Sequence, residues 1–285
     1  MRTGETGKIS FDHIYTRPDP RAYFGTLRQL DYSIPELAKP HFRRLISEYR
    51  EACGAPVPTV LDIGCSYGVN AALVKYGATM EELYHRYADR DAHQRTRESL
   101  LTRDRELVRS GGRTDPVRFL GLDASEEALS YALEAGFLDG AVHADLENGE
   151  PTDEQRARLD GVDLVISTGC LGYVTERTIS RILGGPGGNR PWMAHFVLRM
   201  FPFEPIAETL GAAGYRTVRH EGLFRQRRFA TPQEQARVLD GLCAAGVDPT
   251  GVETDGWFYA QLYTSQPCPP RPAQVGDRPE TRGSK

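Results

Sequence analysis

The sequence lacks long apolar runs, paired cysteines and any large excess of charge. No stretch of its 285 residues approaches the roughly 18 consecutive apolar residues of a membrane-spanning helix, so we expect no membrane partner. The formal net charge of -4 at pH 7 disfavours a protein that binds nucleic acid mainly through phosphate contacts. The start of the chain, MRTGETGKISFDH, has no apolar run after its charges and predicts no secretory signal.

The cysteines exclude further classes of protein. They are odd in number, scattered and never arranged as C-x-x-C: Cys53, Cys65, Cys170, Cys243 and Cys268. This pattern disfavours a disulfide framework and a cysteine-rich zinc site, and it favours a cytoplasmic location. No group of His, Asp or Glu has metal-ligand spacing either, so we predict no metal.

The residues that are present predict an α/β fold. Apolar residues make up 39% of the chain and charged residues 26%, as in soluble globular proteins. From Thr59 onward, short apolar strands alternate with amphipathic helices. The alternation predicts a doubly wound, mostly parallel, seven-stranded sheet with helices on both faces, plus an N-terminal helical lid. The last two strands break the alternation, so we expect one of them to run antiparallel at the sheet edge.

Three segments are expected along the chain. Residues 1–56 are rich in aromatic side chains and are interpreted as a lid over the substrate. Residues 57–265 form the sheet domain, with a helical insertion at about 79–110 that opens on a capping box of Thr79 and Glu82. Residues 266–285 contain prolines and mixed charges, which predicts a disordered tail. Because the first strand starts near Thr59, we expect the core to fold without residues up to about Tyr32.

The most informative motif is VLDIGCSYG, residues Val60–Gly68, in which a strand runs directly into closely spaced glycines. Glycine allows a ligand to approach the main chain where a Cβ would obstruct it. A helix beginning near Gly68 points free N–H groups at that ligand. In open α/β sheets, ligands bind in the crevice at the carboxyl ends of the strands, where this motif lies.

Here the chain resembles the class I S-adenosylmethionine-dependent methyltransferases, whose first motif is an acidic residue followed by G-x-G-x-G. The match consists of Asp62, Gly64, Cys65, Ser66 and Gly68, with Ser66 in place of the central glycine. The resemblance implies S-adenosylmethionine as co-substrate, with its methionine part above the segment from Gly64 to Gly68. It also implies that Asp62 orients the loop or the amine of the co-substrate.

Further acids extend the resemblance. Asp123 ends the second strand, where the family places an acid that accepts hydrogen bonds from both ribose hydroxyls; Ala124 follows it. Asp145 and Leu146 occupy the adenine-side position, where the carboxylate accepts from the exocyclic amine and the Leu146 N–H serves a ring nitrogen. Thr168 ends the fourth strand and completes the predicted co-substrate site.

Candidate catalytic residues are Tyr173, Tyr15 and His13. Tyr173 lies in the loop after the fourth strand, which faces the reacting carbon in the family; its ring could face the sulfonium or its hydroxyl could hold the acceptor. Simple packing against the next helix is an equally good interpretation. Tyr15 belongs to the lid and His13 is a candidate general base there, although such a histidine is more often merely solvated. The run Arg225–Arg228 is interpreted as a solvated face that could also meet an anionic substrate.

The leading hypothesis is methyl transfer to an O, N or C atom of a small molecule in biosynthesis. An alternative on the same co-substrate is attack by its own amine on its γ-carbon, which forms azetidine-2-carboxylate and methylthioadenosine. A non-catalytic binding module on the same fold is a third reading. The sequence leaves the oligomeric state open.

Two other classes fit part of the motif. Residues Gly64–Gly68 also read G-x-S-x-G, the nucleophile elbow of α/β-hydrolases, with Ser66 as nucleophile. That enzyme would need an acid and a histidine downstream, for example Asp163 with His195 or His220. A nicotinamide-binding domain ranks lower, because the G-x-G-x-x-G interval is missing.

Overall fold

The computed structural model describes residues 12–111, 116–184 and 188–268. In these ranges the helices are α1 Asp12–Tyr15, α2 Arg21–Arg28, α3 Ile34–Cys53, α4 Val69–Tyr76, α5 Met80–Ala88, α6 Arg90–Gln94, α7 Arg97–Ser110, α8 Glu126–Ala135, α9 Asp153–Leu159, α10 Glu176–Leu183, α11 Glu204–Ala212 and α12 Pro232–Ala244. The strands are β1 Thr59–Ile63, β2 Arg118–Asp123, β3 Gly140–His143, β4 Leu164–Thr168, β5 Trp192–Leu198, β6 Tyr215–Arg219, β7 Phe224–Arg228 and β8 Trp257–Pro267.

These strands form one sheet in the order β3-β2-β1-β4-β5-β8-β6, with β7 also paired to β8. The strands β1 to β5 are mutually parallel, and β8 runs antiparallel to β5, β6 and β7. The predicted fold class is confirmed, with β7 as an additional strand. We expected the antiparallel strand at the sheet edge, but β8 lies between β5 and β6. It lies inside the sheet because Phe258, Ala260 and Leu262 are buried and need cover.

Helices cover both faces of the sheet, as predicted. Alternate strand residues point to opposite faces. Val60 packs with side chains of α3, α4 and α8, whereas Leu61 packs with α9, α10 and α11. Burial on both faces explains why β1 and β4 read as continuous apolar runs.

The insertion consists of three helices, α5 to α7, where the sequence indicated one long helical stretch. The capping box of Thr79 and Glu82 is present. A second cap interrupts the stretch: the Thr96 side chain accepts a hydrogen bond from Ser99 N and starts α7. Local capping therefore divides the insertion.

The N-terminal lid is built into the core. Phe24 stacks on Tyr87 with ring centroids 4.7 Å apart, and Tyr84 meets its edge at 5.8 Å. The Tyr67 hydroxyl donates to the carbonyls of Ile14 and Arg17 at 3.2 and 2.8 Å. These contacts argue against the expectation that the core folds without residues up to Tyr32.

Helix α3 also differs from the predicted lid, because it lies on the sheet. Its residues Ile34, Ala38 and Phe42 are fully buried against strand residues. We therefore use the name lid helices only for α1 and α2.

The C-terminal boundary of the sheet domain lies slightly beyond the predicted one. Strand β8 continues through Pro267, because Gln266 and Pro267 pair with Arg216 and Tyr215 of β6. The rest of the predicted tail, from residue 269, lies outside the described residues, as do residues 1–11 of the predicted lid. Within the described ranges, none of the helices combines the length and apolar character that crossing a membrane requires.

A pair of leucine variants tests the packing of the lid helices. Leu27 in α2 is 3% exposed and Leu37 in α3 is 38% exposed. We expect Leu27→Ala to lower the free energy of unfolding by about 2–5 kcal/mol, and Leu37→Ala to change it by less than about 1 kcal/mol. Urea denaturation measures both. Equal, small effects would mean that α2 contributes nothing to the cooperative core.

Candidate functional site

A crevice forms where β1, β2 and β4 end at the same edge of the sheet. Asp62 lies next to the end of β1, Asp123 ends β2 and Thr168 ends β4. Since β1 lies between the other two strands, a ligand at Asp123 can extend past β1 towards Thr168. The segment Gly64–Gly68 borders this path.

The segment Gly64–Gly68 has a left-handed backbone at three positions, with φ of 66° at Gly64, 50° at Ser66 and 74° at Gly68. Gly64 is also constrained by space, because a Cβ there would lie 2.9 Å from the Cβ of Cys170. Gly68 is the N-cap residue of α4, so the first N–H groups of that helix lie beside the crevice. Ser66 adopts the left-handed conformation at a cost that glycine would avoid.

The carboxylate of Asp62 is fully buried and held by an amide. Asn70 Nδ2 donates to its two oxygens at 3.0 and 3.2 Å, and to Thr168 Oγ1 at 3.2 Å. Burial raises the pKa of Asp62 to about 7, against the lowering effect of the Asn70 hydrogen bonds. Asn70 was not predicted from the sequence, although a polar residue in the apolar first turn of α4 was a usable signal.

Asp123 links the glycine loop to the next turn. Its Oδ2 accepts from Ser66 N at 2.8 Å and its Oδ1 accepts from Ser125 N at 2.9 Å. Burial raises the pKa of Asp123 above its usual range, while these main-chain hydrogen bonds lower it. Each carboxylate oxygen has more than one lone pair, so both oxygens retain capacity for a further donor.

Asp145 differs from Asp62 and Asp123, because it is exposed and accepts hydrogen bonds within its own turn. Its Oδ1 accepts from the main-chain N–H groups of Glu147 and Asn148 at 3.1 and 3.3 Å, and Asn148 Nδ2 donates to Oδ2 at 2.7 Å. The Asn148 side chain is the largest cause that lowers the pKa of Asp145. Leu146 is buried beside it. An adenine role for these two residues stays a prediction.

The remaining predicted co-substrate residues contribute in different ways. The Cys65 side chain is buried in the sheet core, where burial raises the pKa of its thiol well above the usual range. Its main chain, not its thiol, therefore borders the crevice. Ala124 is exposed, and its carbonyl lies 3.1 Å from His143 Nε2.

Tyrosines of the N-terminal region converge on the crevice. The Tyr32 hydroxyl lies beside those of Tyr23 and Thr168. Ser125 Oγ donates to the Tyr15 carbonyl at 2.6 Å, which fixes α1 next to Asp123. Burial raises the pKa of both Tyr15 and Tyr32, so both hydroxyls stay protonated at neutral pH.

The other two predicted catalytic residues are more exposed. Tyr173 is 42% exposed, and its ring meets the edge of Phe201 at 5.3 Å. It lies close enough to Tyr15 to contribute to the raised pKa of that residue. His13 is exposed, and its carbonyl accepts a hydrogen bond from Arg17. Their catalytic roles stay predictions.

The inner residues of the run Arg225–Arg228 are buried, contrary to the predicted solvated face. Gln226 and Arg227 are 3% and 2% exposed. The outer two arginines are exposed, as expected, and lie over the ring of Trp257. An irregular register in β7 accounts for the difference, because a bulge places two consecutive side chains inside where a regular strand would alternate.

Arg227 forms a buried ion pair. Its guanidinium donates to both carboxylate oxygens of Glu234 at 2.8 and 3.0 Å and lies 4.5 Å from the ring centroid of Phe258. Glu234 also accepts from Ala230 N at 2.7 Å. This pairing anchors β7 to α12 beside the crevice.

Buried polar atoms around the crevice have unused hydrogen-bonding capacity. Within residues 12–111, 116–184 and 188–268, Ser66 Oγ, Asn70 Oδ1 and Gln226 Oε1 are buried without a hydrogen-bond partner. Such atoms cost about 1–3 kcal/mol each and are rare in native proteins. Their grouping here indicates that the crevice binds a polar ligand.

The hydrolase alternative fails on geometry. Asp163 lies at the opposite end of the sheet, where its carboxylate accepts from Thr59 N and from the Tyr49 hydroxyl, both at 2.8 Å. His195 is fully buried, which lowers its pKa to about 3, and its Nδ1 lies 2.8 Å from Ser167 Oγ.

His220 is engaged by Thr264 at 2.8 Å. The elbow at Ser66 therefore has none of the proposed triad partners. In the part of the chain that the structure describes, no cluster of His, Cys, Asp and Glu could hold a metal.

No protein-family model and no curated protein matches the sequence. Solved structures match the chain at low identity and low TM-score. The cyclase SpnF is 15% identical with a TM-score of 0.41, and the match covers 80% of this chain and 81% of SpnF.

Two methyltransferases match similarly. The magnesium protoporphyrin IX methyltransferase ChlM from Synechocystis PCC 6803, with bound S-adenosylmethionine, is 14% identical with a TM-score of 0.38 over 80% of both chains. The plantazolicin methyltransferase BpumL, in complex with S-adenosylhomocysteine, is 12% identical with a TM-score of 0.38 over 82% of this chain and 87% of BpumL. Likeness at this level carries no argument about the fold or the activity of this chain.

A serine variant tests the strain in the glycine loop. We expect Ser66→Gly to raise the free energy of unfolding by about 0.5–1 kcal/mol, because it removes a left-handed side chain and an unpartnered hydroxyl. The control Ser130→Gly, in the exposed interior of α8, should lower it by about 0.5–1 kcal/mol. A loss of stability in both variants would contradict the strain assigned to Ser66.

The raised pKa of Asp62 predicts a pH-dependent stability. The folded protein binds the Asp62 proton more tightly than the unfolded chain, so this residue destabilises the free protein progressively as pH rises from 3.8 to about 7. Asp62→Asn should therefore raise the melting temperature, and raise it more at about pH 8, above this interval, than at about pH 5, within it.

Asp145→Asn supplies the control of opposite sign, because the pKa of Asp145 is lowered. That variant should lose a small amount of stability above the unfolded pKa. Differential scanning fluorimetry measures both variants. A stability difference for Asp62→Asn that does not change with pH would contradict the raised pKa.

Proposed function

We propose that this chain is an S-adenosylmethionine-dependent transferase that acts on a small molecule. The observation that carries the proposal is a pair of carboxylates, the buried Asp62 and the half-buried Asp123, beside a left-handed loop. Asp62 lies one residue before the end of β1, and Asp123 ends the adjacent parallel strand β2. The loop that follows β1 leads into the N-terminus of α4. This arrangement suits a ligand that has hydroxyl and ammonium donors and that passes close to the protein main chain.

The residues present fit S-adenosylmethionine. Asp123 already holds the loop with one bond to each oxygen, and its free lone pairs suit two ribose hydroxyls. Asp62 and Asn70 supply a carboxylate and an unpartnered carbonyl oxygen for the methionine end. On this assignment Asp145 and Leu146 lie on the adenine side.

When bound, S-adenosylmethionine supplies an electrophilic carbon on a sulfonium that is a good leaving group. The chain then has to bind, orient and exclude water. Tyr15, Tyr32 and Tyr173 present aromatic rings near the crevice, and such rings stabilise a neighbouring cation. We propose methyl transfer to an O, N or C atom as the reaction, with His13 as the candidate base. Cytoplasmic, biosynthetic use remains part of this proposal.

The intramolecular alternative has support from the tyrosines, because the Tyr32 hydroxyl lies beside that of Thr168, at the end of the crevice that this proposal assigns to the methionine part. Product analysis separates the two reactions. S-adenosylhomocysteine indicates methyl transfer, whereas methylthioadenosine indicates that the aminocarboxypropyl arm was used. Binding with neither product in any metabolite extract would indicate a non-catalytic module.

Calorimetry tests the proposal directly. We expect S-adenosylmethionine and S-adenosylhomocysteine to bind with micromolar or tighter affinity, and NAD to give no comparable heat. Asp123→Ala should weaken S-adenosylhomocysteine binding by about 1.5–3 kcal/mol, because it removes hydrogen bonds to a charged group.

The matched control is Asp163→Ala, which removes an acid that also bonds a strand N–H but at the far end of the sheet. Its affinity should equal that of the parent. Heat for NAD alone, or equal affinities for Asp123→Ala and the parent, would contradict the assignment.

A further inference from the structure

Gln226 carries a buried amide at the β4 end of the crevice. Its main-chain carbonyl accepts a hydrogen bond from Ser33 N at 2.9 Å, which ties β7 to the start of α3. Its side chain is 3% exposed, and in the described part of the chain its Oε1 has no hydrogen-bond partner. A buried acceptor left unpaired is costly, so this oxygen points to a ligand group that donates to it.

The fold makes room for this amide. Gly169 follows Thr168 at the end of β4 with φ of 76°, and a Cβ there would lie 2.1 Å from Gln226 Nε2. The bulge in β7 turns Gln226 inward, and the buried pair of Arg227 and Glu234 fixes the strand next to it. Gln226 is therefore a buried side chain on a fixed strand, with space for its amide beside Gly169.

The surroundings of the amide favour a cationic donor. Asn70 Oδ1 is a second buried acceptor without a partner among the described residues, and the Asn70 amide bonds both Asp62 and Thr168. The charge of the nearby Arg227 is balanced by Glu234. A carboxylate with two unpaired carbonyl oxygens suits an ammonium group, which has three donors and no acceptor.

If the proposed function holds, the position of the Gln226 amide indicates which ammonium group of the ligand would donate to it. With the ribose at Asp123, the amino-acid arm of the co-substrate passes the Gly64–Gly68 loop and ends near β4. We propose that Gln226 Oε1 accepts a hydrogen bond from the α-ammonium group of S-adenosylmethionine, beside Asn70 and Asp62. Gln226 is then a binding residue supplied by β7, the strand additional to the predicted seven.

Two related ligands test the assignment by isothermal titration calorimetry. S-adenosylhomocysteine carries the amino-acid arm, and methylthioadenosine has the same nucleoside without it. We expect Gln226→Met to raise the Kd of S-adenosylhomocysteine at least about tenfold, because a hydrogen bond to a charged group is lost. The Kd of methylthioadenosine should stay within about twofold of the parent value, which also shows that the variant is folded.

Two variants complete the design. Gln226→Glu keeps an acceptor and should retain the preference for S-adenosylhomocysteine. Gln261→Met changes another buried glutamine, whose Nε2 donates to the carbonyls of His220 and Gly222, and should leave both affinities unchanged.

Each remaining outcome contradicts a specific claim. Equal weakening of both ligands by Gln226→Met, or no change in either, would overturn the role of Gln226. Failure of the parent protein to bind either adenosyl compound would overturn the proposed function itself, and with it this inference.

Discussion

The carboxylate of Asp123 connects three parts of the molecule that are distant in sequence. It accepts from Ser66 N in the glycine loop and from Ser125 N in its own turn. Ser125 in turn holds the carbonyl of Tyr15 through its hydroxyl. The left-handed loop and the end of β2 therefore share one acceptor, and helix α1 is attached to it through Ser125. The form of the crevice depends on this carboxylate.

Much of the fold could be predicted because its signals are local. The run through Val60 is apolar on both faces, the capping box at Thr79 is explicit, and the glycines of the loop mark a turn. The same reasoning located Asp62, Asp123 and Thr168 at one edge, since parallel strands end together. It could not place β8 inside the sheet, because strand order depends on long-range pairing that no local pattern records.

The residues that the sequence did not reveal are polar groups recruited by tertiary structure. Asn70 on α4 is placed by its hydrogen bonds to Asp62 on β1, and Gln226 is turned inward by the bulge in β7. The run Arg225–Arg228 looked like a solvated surface because its composition is cationic. The structure shows that Gln226 and Arg227 are buried, and that Arg227 is paired with Glu234. Contacts between separate secondary-structure elements decided these cases.

The shared aromatic core of the lid helices has a consequence for the speed of ligand exchange. Opening the crevice on that side requires α1 and α2 to leave Tyr67, Tyr84 and Tyr87, which exposes rings that are otherwise dry. Such a movement is a local unfolding event and not the swing of a free flap. The residence time of a ligand would then be governed by the stability of the N-terminal helices. A ligand that fills the crevice would in return protect the amides of those helices from exchange with solvent.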